Sequence, residues 1–495
     1  MQAKALFENS SLVLKNPYLE VTSLSIDSRK VESDSVFVAI PGNSENGERF
    51  VAEAVSRGAR VIVAEHPVSV PESVTFYLSK DVRADFAILA KNFFAHADEK
   101  MDLFAVTGTN GKTTTATLLQ EILCAAGKKT GLISTVEKKW GNHVESSALT
   151  TPDPWELQQT FTRMIKDGCQ ACVMEASSHG IHQKRLHGLK WKCRILTQVQ
   201  SDHLDYHGTL QAYGQVKMDF LCAGENEWSI LNLNDAIGKK AASLKKRVRT
   251  YALRNAAADM YVKDIYFQEG GLTFDIHTEK ETISARTHFL VGDFMVENVL
   301  AATCAARLLE IPWKIILDVL LHFKAPLGRL TEVRSAKGFR VFVDYAHTTD
   351  GLLKALQALR PLVKNKLRLV FGCGGNRDKT KRSAMGKVAE EYADVLYLTS
   401  DNSRFEKTED ILKEIRSGMK HPEQWFCDEH RDKAIAQAIL DAEAGDVVLV
   451  AGKGHELYQE LEGVKIPFSD CEEVEKTLTG VLAVHGECPK QKGSF

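Results

Sequence analysis

A glycine-containing loop between a strand and a helix constrains this chain more than any other feature of its sequence. The loop follows an apolar run at residues 103–106, and its members are Gly108, Thr109, Asn110, Gly111, Lys112, Thr113 and Thr114. After it, apolar residues recur about every 3.6 positions, as in a helix, namely Leu118, Leu119, Ile122, Leu123 and Ala126. Backbone N–H groups at such a junction surround an anion, and the helix dipole favours negative charge there. Lys112 can reach the outer phosphates of ATP and Thr113 can offer a hydroxyl to Mg²⁺, so the sequence predicts an ATP site.

Composition limits the classes of protein to which the chain can belong. Its 495 residues suggest about three domains, at roughly 150 residues per domain. The hydrophobic content of 44% and the charged content of 26% are typical of a soluble globular protein. A formal net charge of -2 provides no overall positive field, so we expect no binding to nucleic acid. No apolar run approaches the roughly 18 residues of a membrane-spanning helix, so we expect no membrane insertion and a cytoplasmic location.

The ten cysteines indicate the same compartment. Cys169 and Cys172 have the spacing of a zinc-ligand pair, but no second pair and no suitable histidine pair accompanies them. The segment 171–174 also has the pattern of a buried strand. We therefore interpret these cysteines as reduced interior thiols, which suit a reducing cytoplasm.

Changes of pattern along the chain divide it into three α/β units. Residues 1–97 alternate short apolar runs with helical stretches, which predicts a small N-terminal α/β domain. Residues 98–327 predict a central, P-loop ATPase-like domain with a mostly parallel sheet that helices cover on both faces. Residues 328–495 predict a C-terminal Rossmann-like α/β domain. The predicted strands lie at residues 36–40, 59–64, 103–106, 171–174, 194–199, 229–232, 339–343, 367–371, 395–399 and 447–451.

An acidic residue ends the strand that is predicted beside the loop. Glu175 follows the apolar run 171–174, and a carboxylate at the end of such a strand is a natural ligand for Mg²⁺. Ser177 or Ser178, which follow, either face a substrate or cap a helix, and the residues alone do not decide between the two. No guanine-reading Asn-Lys-x-Asp segment is evident, which argues against a GTPase.

Several short motifs, taken together, resemble those of the Mur ligases. They are the loop at 108–114, Glu175, Asp-His-Leu-Asp-Tyr-His-Gly at 202–208, Gly-Arg at 328–329 and Asp-Tyr-Ala-His at 344–347. Their order and spacing cover the whole chain. Within that family the sequence is most similar to the enzymes that add the third residue of the cell-wall peptide. The resemblance implies three domains that hold a UDP-linked precursor, ATP and an amino acid, in that order along the chain.

The resemblance also implies the substrates. A monomeric enzyme would join UDP-N-acetylmuramoyl-L-alanyl-D-glutamate, a UDP-N-acetylmuramoyl-dipeptide, to a diamino acid, usually meso-2,6-diaminopimelate, in peptidoglycan synthesis. A free carboxylate does not react with an amine at neutral pH, so ATP would first convert it to an acyl phosphate. Arg185 is a reasonable clamp for a carboxylate or phosphate from its planar guanidinium alone. The residues implied to hold the precursor are Ser28, Asn43, Ser44, Thr150, Thr151, Ser177, Gln183 and Arg185.

Lys217 has two opposed interpretations. From the residues alone, an exposed lysine on a predicted helix is favoured. In the family the matching lysine is carbamylated, and a carbamate offers oxygen to Mg²⁺ whereas an ammonium would repel the ion. The resemblance implies that Lys112, Glu175, His203 and Lys217 are catalytic, with Thr113, Glu175, His203 and Lys217 around magnesium. It further implies that Asn298, Arg329 and Asp344 join the loop in binding ATP.

The third domain is implied to choose the amino acid. The segment 399–404 follows a strand, at the sheet edge where α/β proteins bind ligands. Arg404 could pair with the distal carboxylate of diaminopimelate and would repel the ammonium of lysine, which favours diaminopimelate. Glu456 could accept from the distal ammonium. The residues implied to form the pocket are Arg377, Asp401, Asn402, Arg404, Gly452 and Glu456.

Three other functions stay open at the level of sequence. The same reaction with L-lysine or another diamino acid would need only a different pocket around Arg404. A folylpolyglutamate synthase shares the loop and the chemistry, but it does not need the segments 150–153 and 401–404. A non-catalytic nucleotide-binding protein would not need intact Lys112, Glu175 and Lys217.

Overall fold

A computed structural model of the chain describes residues 1–13, 15–42, 46–268 and 271–480. Within them, three α/β units follow one another, each built on its own sheet, and a separate two-stranded hairpin follows the third. The predicted fold class is therefore confirmed. Among the described residues no helix is both long and apolar enough to cross a membrane.

The first unit is built on four parallel strands in the order β1-β2-β3-β4. Alternate strand residues, such as Val36 and Val61, are buried against the long helix of this unit, which contributes Phe86 and Leu89. The strands are β1 (Leu24–Ser25), β2 (Ser35–Val38), β3 (Ala59–Ala64) and β4 (Thr75–Leu78). The helices are α1 (Ala3–Leu6), α2 (Val51–Ser56) and α3 (Val82–Phe93).

The second unit contains an eleven-stranded sheet in the order β15-β14-β13-β12-β11-β10-β5-β9-β6-β7-β8. The strands are β5 (Asp102–Thr107), β6 (Thr130–Ile133), β7 (Glu137–Trp140), β8 (His143–Ser146), β9 (Ala171–Glu175), β10 (Cys193–Leu196), β11 (Trp228–Asn232), β12 (Val248–Leu253), β13 (Met260–Gln268), β14 (Gly271–Thr278) and β15 (Thr282–Thr287). The helices are α4 (Lys112–Ala125), α5 (Pro154–Lys166), α6 (Ser178–His182), α7 (Leu204–His207), α8 (Leu210–Cys222), α9 (Ala236–Leu244), α10 (Asp293–Leu308) and α11 (Trp313–His322).

The central sheet is parallel only in its middle. The seven central strands pair in parallel, in the order β13, β12, β11, β10, β5, β9 and β6. Strands β7 and β8 extend one edge of the sheet as an antiparallel hairpin, and β14 and β15 extend the other edge in the same way. The sequence interpretation did not include these hairpins. Strand β10 also ends at Leu196 rather than at the predicted residue 199, because Gln198 turns its carbonyl to the amide of Thr109 at 2.6 Å.

Local residues explain where the helices of the site begin. Helix α5 has Asp153 as its N-cap, whose carboxylate accepts from the Glu156 amide, and Pro154 at its first position. Helix α6 is capped by the Ser177 hydroxyl, which accepts from the Gly180 amide. The N-cap interpretation of Ser177 is therefore confirmed, and the two cap residues lie at the same edge of the sheet as Glu175.

The third unit contains a six-stranded sheet in the order β16-β17-β21-β18-β19-β20, in which only β16 is antiparallel to its neighbour. The strands are β16 (Thr331–Val333), β17 (Arg340–Asp344), β18 (Leu367–Phe371), β19 (Val395–Leu398), β20 (Phe426–Cys427) and β21 (Val447–Ala451), and the hairpin is β22 (Tyr458–Leu461) with β23 (Val464–Pro467). The helices are α12 (Thr349–Leu359), α13 (Thr380–Tyr392), α14 (Thr408–Arg416), α15 (Arg431–Leu440) and α16 (Asp470–Thr479).

The second and third units pack against each other. One continuous apolar cluster runs from α4 and α10 of the second unit to α12 of the third. A polar contact crosses the same boundary, where Lys354 Nζ donates to Gln198 Oε1 at 2.5 Å. Residues of both units therefore line one cleft.

Candidate active site

The loop at 108–114 closes around its own lysine. Gly108 and Gly111 have φ values of 148° and 87°, in the region that favours glycine. A Cβ on Gly108 would lie 1.9 Å from Thr197 Oγ1, so no side chain fits there. Lys112 Nζ donates to the carbonyl oxygens of Gly108 at 3.1 Å and Thr109 at 2.9 Å, and burial lowers the pKa of this ammonium. The loop thus places a cation beside the N-terminus of α4.

Glu175 lies at the end of β9, fully buried beside the loop. Its Oε1 accepts from the Thr113 hydroxyl at 2.8 Å and from the Thr135 amide at 2.8 Å, and its Oε2 accepts from the Thr135 hydroxyl at 3.0 Å. No ion pair of Glu175 is found within the described ranges. A buried carboxylate that only neutral donors satisfy is a fitting place for a cation.

Arg329 of the third unit contacts the loop of the second unit. Its Nη2 donates to Thr113 Oγ1 at 3.1 Å, and its guanidinium lies 4.9 Å from the centre of the Tyr345 ring. Asp344, at the end of β17, accepts from the amides of Leu330 at 2.7 Å and Ala346 at 2.8 Å. Burial raises the pKa of Asp344 to about 6, although the charge of Arg329 opposes the shift. These contacts form the second wall of the cleft.

Asn298 of α10 lies at the apolar end of the same cleft. Its side chain is 5% exposed, and a Cβ on Gly111 would lie 2.2 Å from its Oδ1. The cleft is also lined by Tyr251, Phe294, Met295 and Ala355. A mixed apolar and amide surface next to a phosphate loop suits a purine base.

Lys217 is buried, which the sequence interpretation of an exposed helical lysine did not predict. Its side chain is 1% exposed on α8, and its Nζ donates to Gly108 O at 3.2 Å and Thr107 Oγ1 at 3.4 Å. The Nζ also lies 4.6 Å from the centre of the Tyr213 ring. Burial, reinforced by the charge of Lys112, lowers the pKa of Lys217 well below the usual value, because a buried ammonium loses its hydration.

Aromatic and histidine side chains cover the opening beside Lys217. The rings of His179 and His203 lie 4.8 Å apart, and Tyr206 lies 4.1 Å from His179. His203 is half exposed, and its Nε2 lies 3.5 Å from Asp202 Oδ2. Burial lowers the pKa of His179 and His207 to about 4, so both rings are neutral near pH 7.

The arrangement does not suggest a zinc site. Across the described ranges, no group of three or more His, Cys, Asp or Glu side chains is placed to hold a metal ion. Cys169 and Cys172 are buried, free thiols. Burial raises the pKa of both, as expected of inert interior cysteines.

The residues expected to hold the precursor fall into two groups. Arg185 donates from Nη1 to Thr151 O at 2.7 Å and from Nη2 to Gln183 Oε1 at 2.7 Å, beside Ser177. Thr151 is buried and its hydroxyl donates to Glu175 O at 2.9 Å, so it positions the strand end. Thr150 is half-buried and lies 3.1 Å from the Thr135 hydroxyl.

The remaining precursor residues belong to the first unit. Ser28 is 6% exposed and its hydroxyl donates to Glu53 Oε2 at 2.7 Å, so the structure joins it to helix α2 rather than to the cleft. Asn43 and Ser44 lie outside the described residues.

The residues expected to bind the amino acid surround the ends of β19 and β21. Asn402 Nδ2 donates to Glu456 Oε2 at 2.7 Å, and Lys453 Nζ, fully buried, lies 3.0 Å from Asn402 Oδ1 and 3.1 Å from Glu456 Oε2. Arg404 donates from Nη1 to Gly375 O at 2.8 Å. Arg377 is exposed on the loop that faces this group.

A buried ion pair holds the two strand ends together. Arg431 and Asp470 are fully buried and pair through two nitrogens at 2.7 and 2.8 Å, while Arg431 also donates to Ser400 O and Ala451 O. Asp401 lies next to this pair; burial would raise the pKa of its carboxyl, but the charges of Lys453 and Arg431 hold it below the usual value. A Cβ on Gly452 would lie 2.6 Å from Asp401 Oδ2, so glycine leaves room for that carboxylate.

Sequence reasoning missed three side chains of the site. Thr135 holds Glu175 with two hydrogen bonds, but it lies in a turn without a motif. Tyr213 covers Lys217 and shares a hydrogen bond of 3.0 Å with Thr109, which only the fold reveals. Lys453 follows a buried strand in a glycine-rich segment, and that position at the carboxyl end of β21 is a signal that was available.

Comparisons with known proteins agree on one family across all three units. Residues 20–96 match the Mur ligase family catalytic domain, residues 106–306 the Mur ligase middle domain, and residues 328–454 the Mur ligase glutamate ligase domain.

Whole-chain relatives point to one member of that family. A UDP-N-acetylmuramoyl-L-alanyl-D-glutamate–2,6-diaminopimelate ligase from Ectopseudomonas mendocina is 37% identical over 470 residues, which are 94% of this chain and 96% of the relative. The ligase of the same name from Geobacillus kaustophilus is 39% identical over 91% of this chain and 93% of the relative. A solved structure of a ligase of that name covers 97% of this chain and 99% of its own, with 31% identity and a TM-score of 0.70.

Proposed function

The chain belongs to the Mur ligase family of ATP-dependent ligases, and we propose that it adds meso-2,6-diaminopimelate to UDP-N-acetylmuramoyl-L-alanyl-D-glutamate. The observation that carries this proposal is the likeness over nearly the whole chain to ligases of that name. The phosphate loop, Glu175 and Arg329 within one cleft agree with it. The domain boundaries at 97/98 and 327/328, the monomeric state and the cytoplasmic location stay predictions.

ATP occupies the cleft between the second and third units in this proposal. The loop amides and Lys112 hold the phosphates, and the base lies against Asn298. Asp344, at the end of a strand next to Tyr345, accepts from the ribose hydroxyls, while Arg329 faces the γ-phosphate from the position in which it contacts Thr113. The two units must therefore be closed for catalysis.

Magnesium fits the donors beside the loop. The Thr113 hydroxyl and the Glu175 carboxylate are hard oxygen donors 2.8 Å apart, and Glu175 has no cationic partner in the described part of the chain. Mg²⁺ is commonly held by one or two such groups together with substrate phosphates. When bound, the ion would neutralise charge on the phosphates. His203 and Lys217, on the far side of the loop, are the proposed holders of a second ion.

Lys217 is proposed to be carbamylated. Only a neutral amine attacks carbon dioxide. Burial disfavours the ammonium of Lys217, and among the described residues no carboxylate forms a salt bridge with it. The product is an oxygen donor with a negative charge, which the neighbouring Lys112 compensates. The covering ring of Tyr213 shields the carbamate from water.

The reaction proceeds in two steps in this account. The D-glutamate γ-carboxylate attacks the γ-phosphorus of ATP, and ADP leaves, so an acyl phosphate forms. Lys112 and Arg329 hold the charge that spreads over the transferred phosphoryl group. The amine of the diamino acid then attacks the acyl carbon, loses a proton, and expels inorganic phosphate. Arg185, fixed by Gln183 and Thr151, is proposed to hold the dipeptide in line.

The amino acid is proposed to bind in the group around Arg404. A guanidinium at this position pairs with the distal carboxylate of diaminopimelate, which lysine lacks. Asn402, Glu456 and Gly452 surround the same space, and the ion pair of Arg431 and Asp470 fixes the strands that carry them. Arg377, which is exposed on the facing loop, is proposed to close over the substrate.

Phosphate release with defined substrates tests the proposal. The purified protein is mixed with ATP, Mg²⁺ and the UDP-dipeptide precursor, and then with meso-2,6-diaminopimelate, L-lysine or L-ornithine in separate reactions. We expect rapid release only with diaminopimelate, and a product whose mass equals that of the tripeptide. Release that is as fast with L-lysine would overturn the choice of amino acid.

A pair of lysine variants distinguishes loss of the loop cation from the general effect of removing a lysine. Lys112→Ala should abolish product formation, because it removes the cation of the loop. Lys240→Ala, which changes an exposed lysine of α9, should leave the rate unchanged. Equal rates in both variants would contradict the role of the loop.

A further inference from the structure

The hairpin β22–β23 is attached to the segment that carries Arg404. The Arg404 amide donates to Glu460 O at 3.0 Å, and the Glu462 amide donates to Arg404 O at 2.6 Å, which forms a short parallel bridge. The Glu460 amide in turn donates to Asn402 Oδ1 at 2.9 Å. The side chains of β22 therefore have fixed positions relative to the amino-acid pocket.

Alternation along β22 sends two side chains towards that pocket. The Tyr458 ring lies 5.6 Å from Lys453 Nζ, and Glu460 Oε2 lies 3.3 Å from Arg404 Nε. Gln459, between them, lies on the other face of the strand and donates to Ser400 Oγ at 2.6 Å and to the backbone oxygen of Asp401 at 3.0 Å. Glu460 thus shares the face of Arg404 and Lys453.

The two carboxylates of this pocket differ in how they are satisfied. Glu456 accepts from Asn402 and from the buried Lys453, which balances its charge permanently. Glu460 has Arg404 as its charged partner and is 20% exposed. When a substrate carboxylate takes the guanidinium, Glu460 loses that partner and becomes the free anion of the pocket.

Arg404 keeps part of its guanidinium available. Nε faces Glu460, and Nη1 donates to Gly375 O, but Nη2 has no hydrogen-bond acceptor among the residues that the structure describes. Nε and Nη2 lie along one edge of the guanidinium, and Glu460 contacts only the Nε end of it, so a substrate carboxylate can take this edge in place of Glu460. A cation and an anion that the substrate can separate therefore lie side by side.

We propose that Arg404 and Glu460 together bind the distal zwitterion of the diamino acid, with Arg404 on its carboxylate and Glu460 on its ammonium. The inference rests on the proposed function and names a residue that fixes the substrate class. The distal end of meso-2,6-diaminopimelate carries both charges on one carbon, so a receptor for it needs opposite charges next to each other. Arg404 and Glu460 give up their mutual ion pair, and each forms an ion pair with the substrate instead. The substrate group carries one positive and one negative charge, so the net charge of the pocket does not change.

Substrate analogues separate the two contacts. L-2-Aminopimelate keeps the distal carboxylate and lacks the distal ammonium, whereas L-lysine keeps an ammonium and lacks the carboxylate. Glu460→Gln preserves shape and removes the charge that would meet the ammonium. Glu462→Gln changes an exposed carboxylate of the same hairpin turn and is the matched control.

Kinetics of the three proteins with these substrates test the inference. We expect Glu460→Gln to raise the KM for meso-2,6-diaminopimelate about tenfold, which corresponds to about 1.4 kcal/mol, without raising that for L-2-aminopimelate. The KM values for ATP and the precursor, and all values of Glu462→Gln, should stay as in the wild type. If Glu460→Gln raised the KM for meso-2,6-diaminopimelate and the KM for L-2-aminopimelate equally, Glu460 would only position Arg404. If both KM values fell, Glu460 would compete with the substrate for Arg404. Either of these results, or unchanged KM values, overturns the inference.

Binding without turnover keeps this test separate from that of the function. Titration calorimetry of meso-2,6-diaminopimelate, with the precursor and a non-hydrolysable ATP analogue present, should give a Kd about tenfold higher for Glu460→Gln than for the wild type. A wild type that binds no better than the variant overturns the inference. Absence of product from the wild type, by contrast, overturns the proposed function.

Discussion

Replacing Gly111 with alanine tests how the loop and Asn298 share the nucleotide site. A Cβ at residue 111 would lie 2.2 Å from Asn298 Oδ1, whereas ordinary contact begins at 3.4 Å, so the amide must retreat by about 1.2 Å. Asn298 is 5% exposed and lines the cleft beside the loop. The substitution therefore moves the side chain that we propose to contact the nucleotide, without removing it.

Gly127 provides a matched control at the other end of helix α4. Its φ is 82°, close to the 87° of Gly111, but nothing lies within 4 Å of a Cβ built there. Alanine at either position costs about 1–2 kcal/mol of stability for its left-handed backbone. Only at Gly111 is a positioning group displaced, and a displacement of about 1 Å can cost about 100-fold in rate. We therefore expect kcat/KM for ATP to fall 10- to 100-fold, by this reasoning, in Gly111→Ala alone.

Steady-state kinetics and urea unfolding of both variants give the answer. The two proteins should lose similar free energies of unfolding and differ in kcat/KM for ATP. The double variant Gly111→Ala, Asn298→Ala should be no worse than Asn298→Ala, since the clashing amide is gone. Equal ATP kinetics in Gly111→Ala and Gly127→Ala would refute the assignment of Asn298 to the nucleotide site.

Two further predictions concern the site, and a third concerns a salt bridge elsewhere in the third unit. Lys217→Ala should lower the rate at least about 100-fold, and a short carboxylate such as formate should restore part of it; full activity without any carboxylate would argue against a carbamate. Arg404→Ala should raise the KM for diaminopimelate about tenfold or more and leave the KM for ATP unchanged, and an unaltered KM for diaminopimelate would remove Arg404 from the pocket. Hydrogen bonds from Arg382 hold the pKa of Glu406 at about 2 instead of 4.5, so this carboxylate stabilises the fold fully above pH 4.5 and loses that effect as the pH falls towards 2. Glu406→Gln should therefore lower the free energy of unfolding at pH 7 by at most about 3 kcal/mol and flatten its decline in acid; an unchanged acid profile would contradict the assignment.

The loop and the strand end beside it were easier to predict from the sequence than the side chains that surround them. The loop was predictable because each of its residue types has a local reason to stand at a strand–helix junction. The glycines adopt positive φ, the lysine supplies a positive charge and the threonine supplies a hydroxyl. Glu175 was recognisable from its place after a buried strand. The parallel order of the central strands followed from their alternation with helices.

Residues that act through tertiary contacts were beyond sequence reasoning. Lys217 has the pattern of any helical lysine, and only the packing of α8 under Tyr213 and the loop buries it. Strands β7 and β8 have only four residues each; no residue of β8 is buried, and the buried residues of β7 are Lys138 and Trp140, so neither strand shows an apolar run in the sequence. Glu460 meets Arg404 because a hairpin distant in sequence returns to the pocket.

The central claim is that ATP activates a carboxylate of the precursor, and the fate of one oxygen atom tests it most directly. The precursor is prepared with ¹⁸O in the γ-carboxylate of its D-glutamate and is turned over with ATP and meso-2,6-diaminopimelate. An acyl phosphate transfers one carboxylate oxygen to phosphorus, so each inorganic phosphate released should carry one ¹⁸O in its mass spectrum. Phosphate without ¹⁸O, formed together with the tripeptide product, would contradict the account.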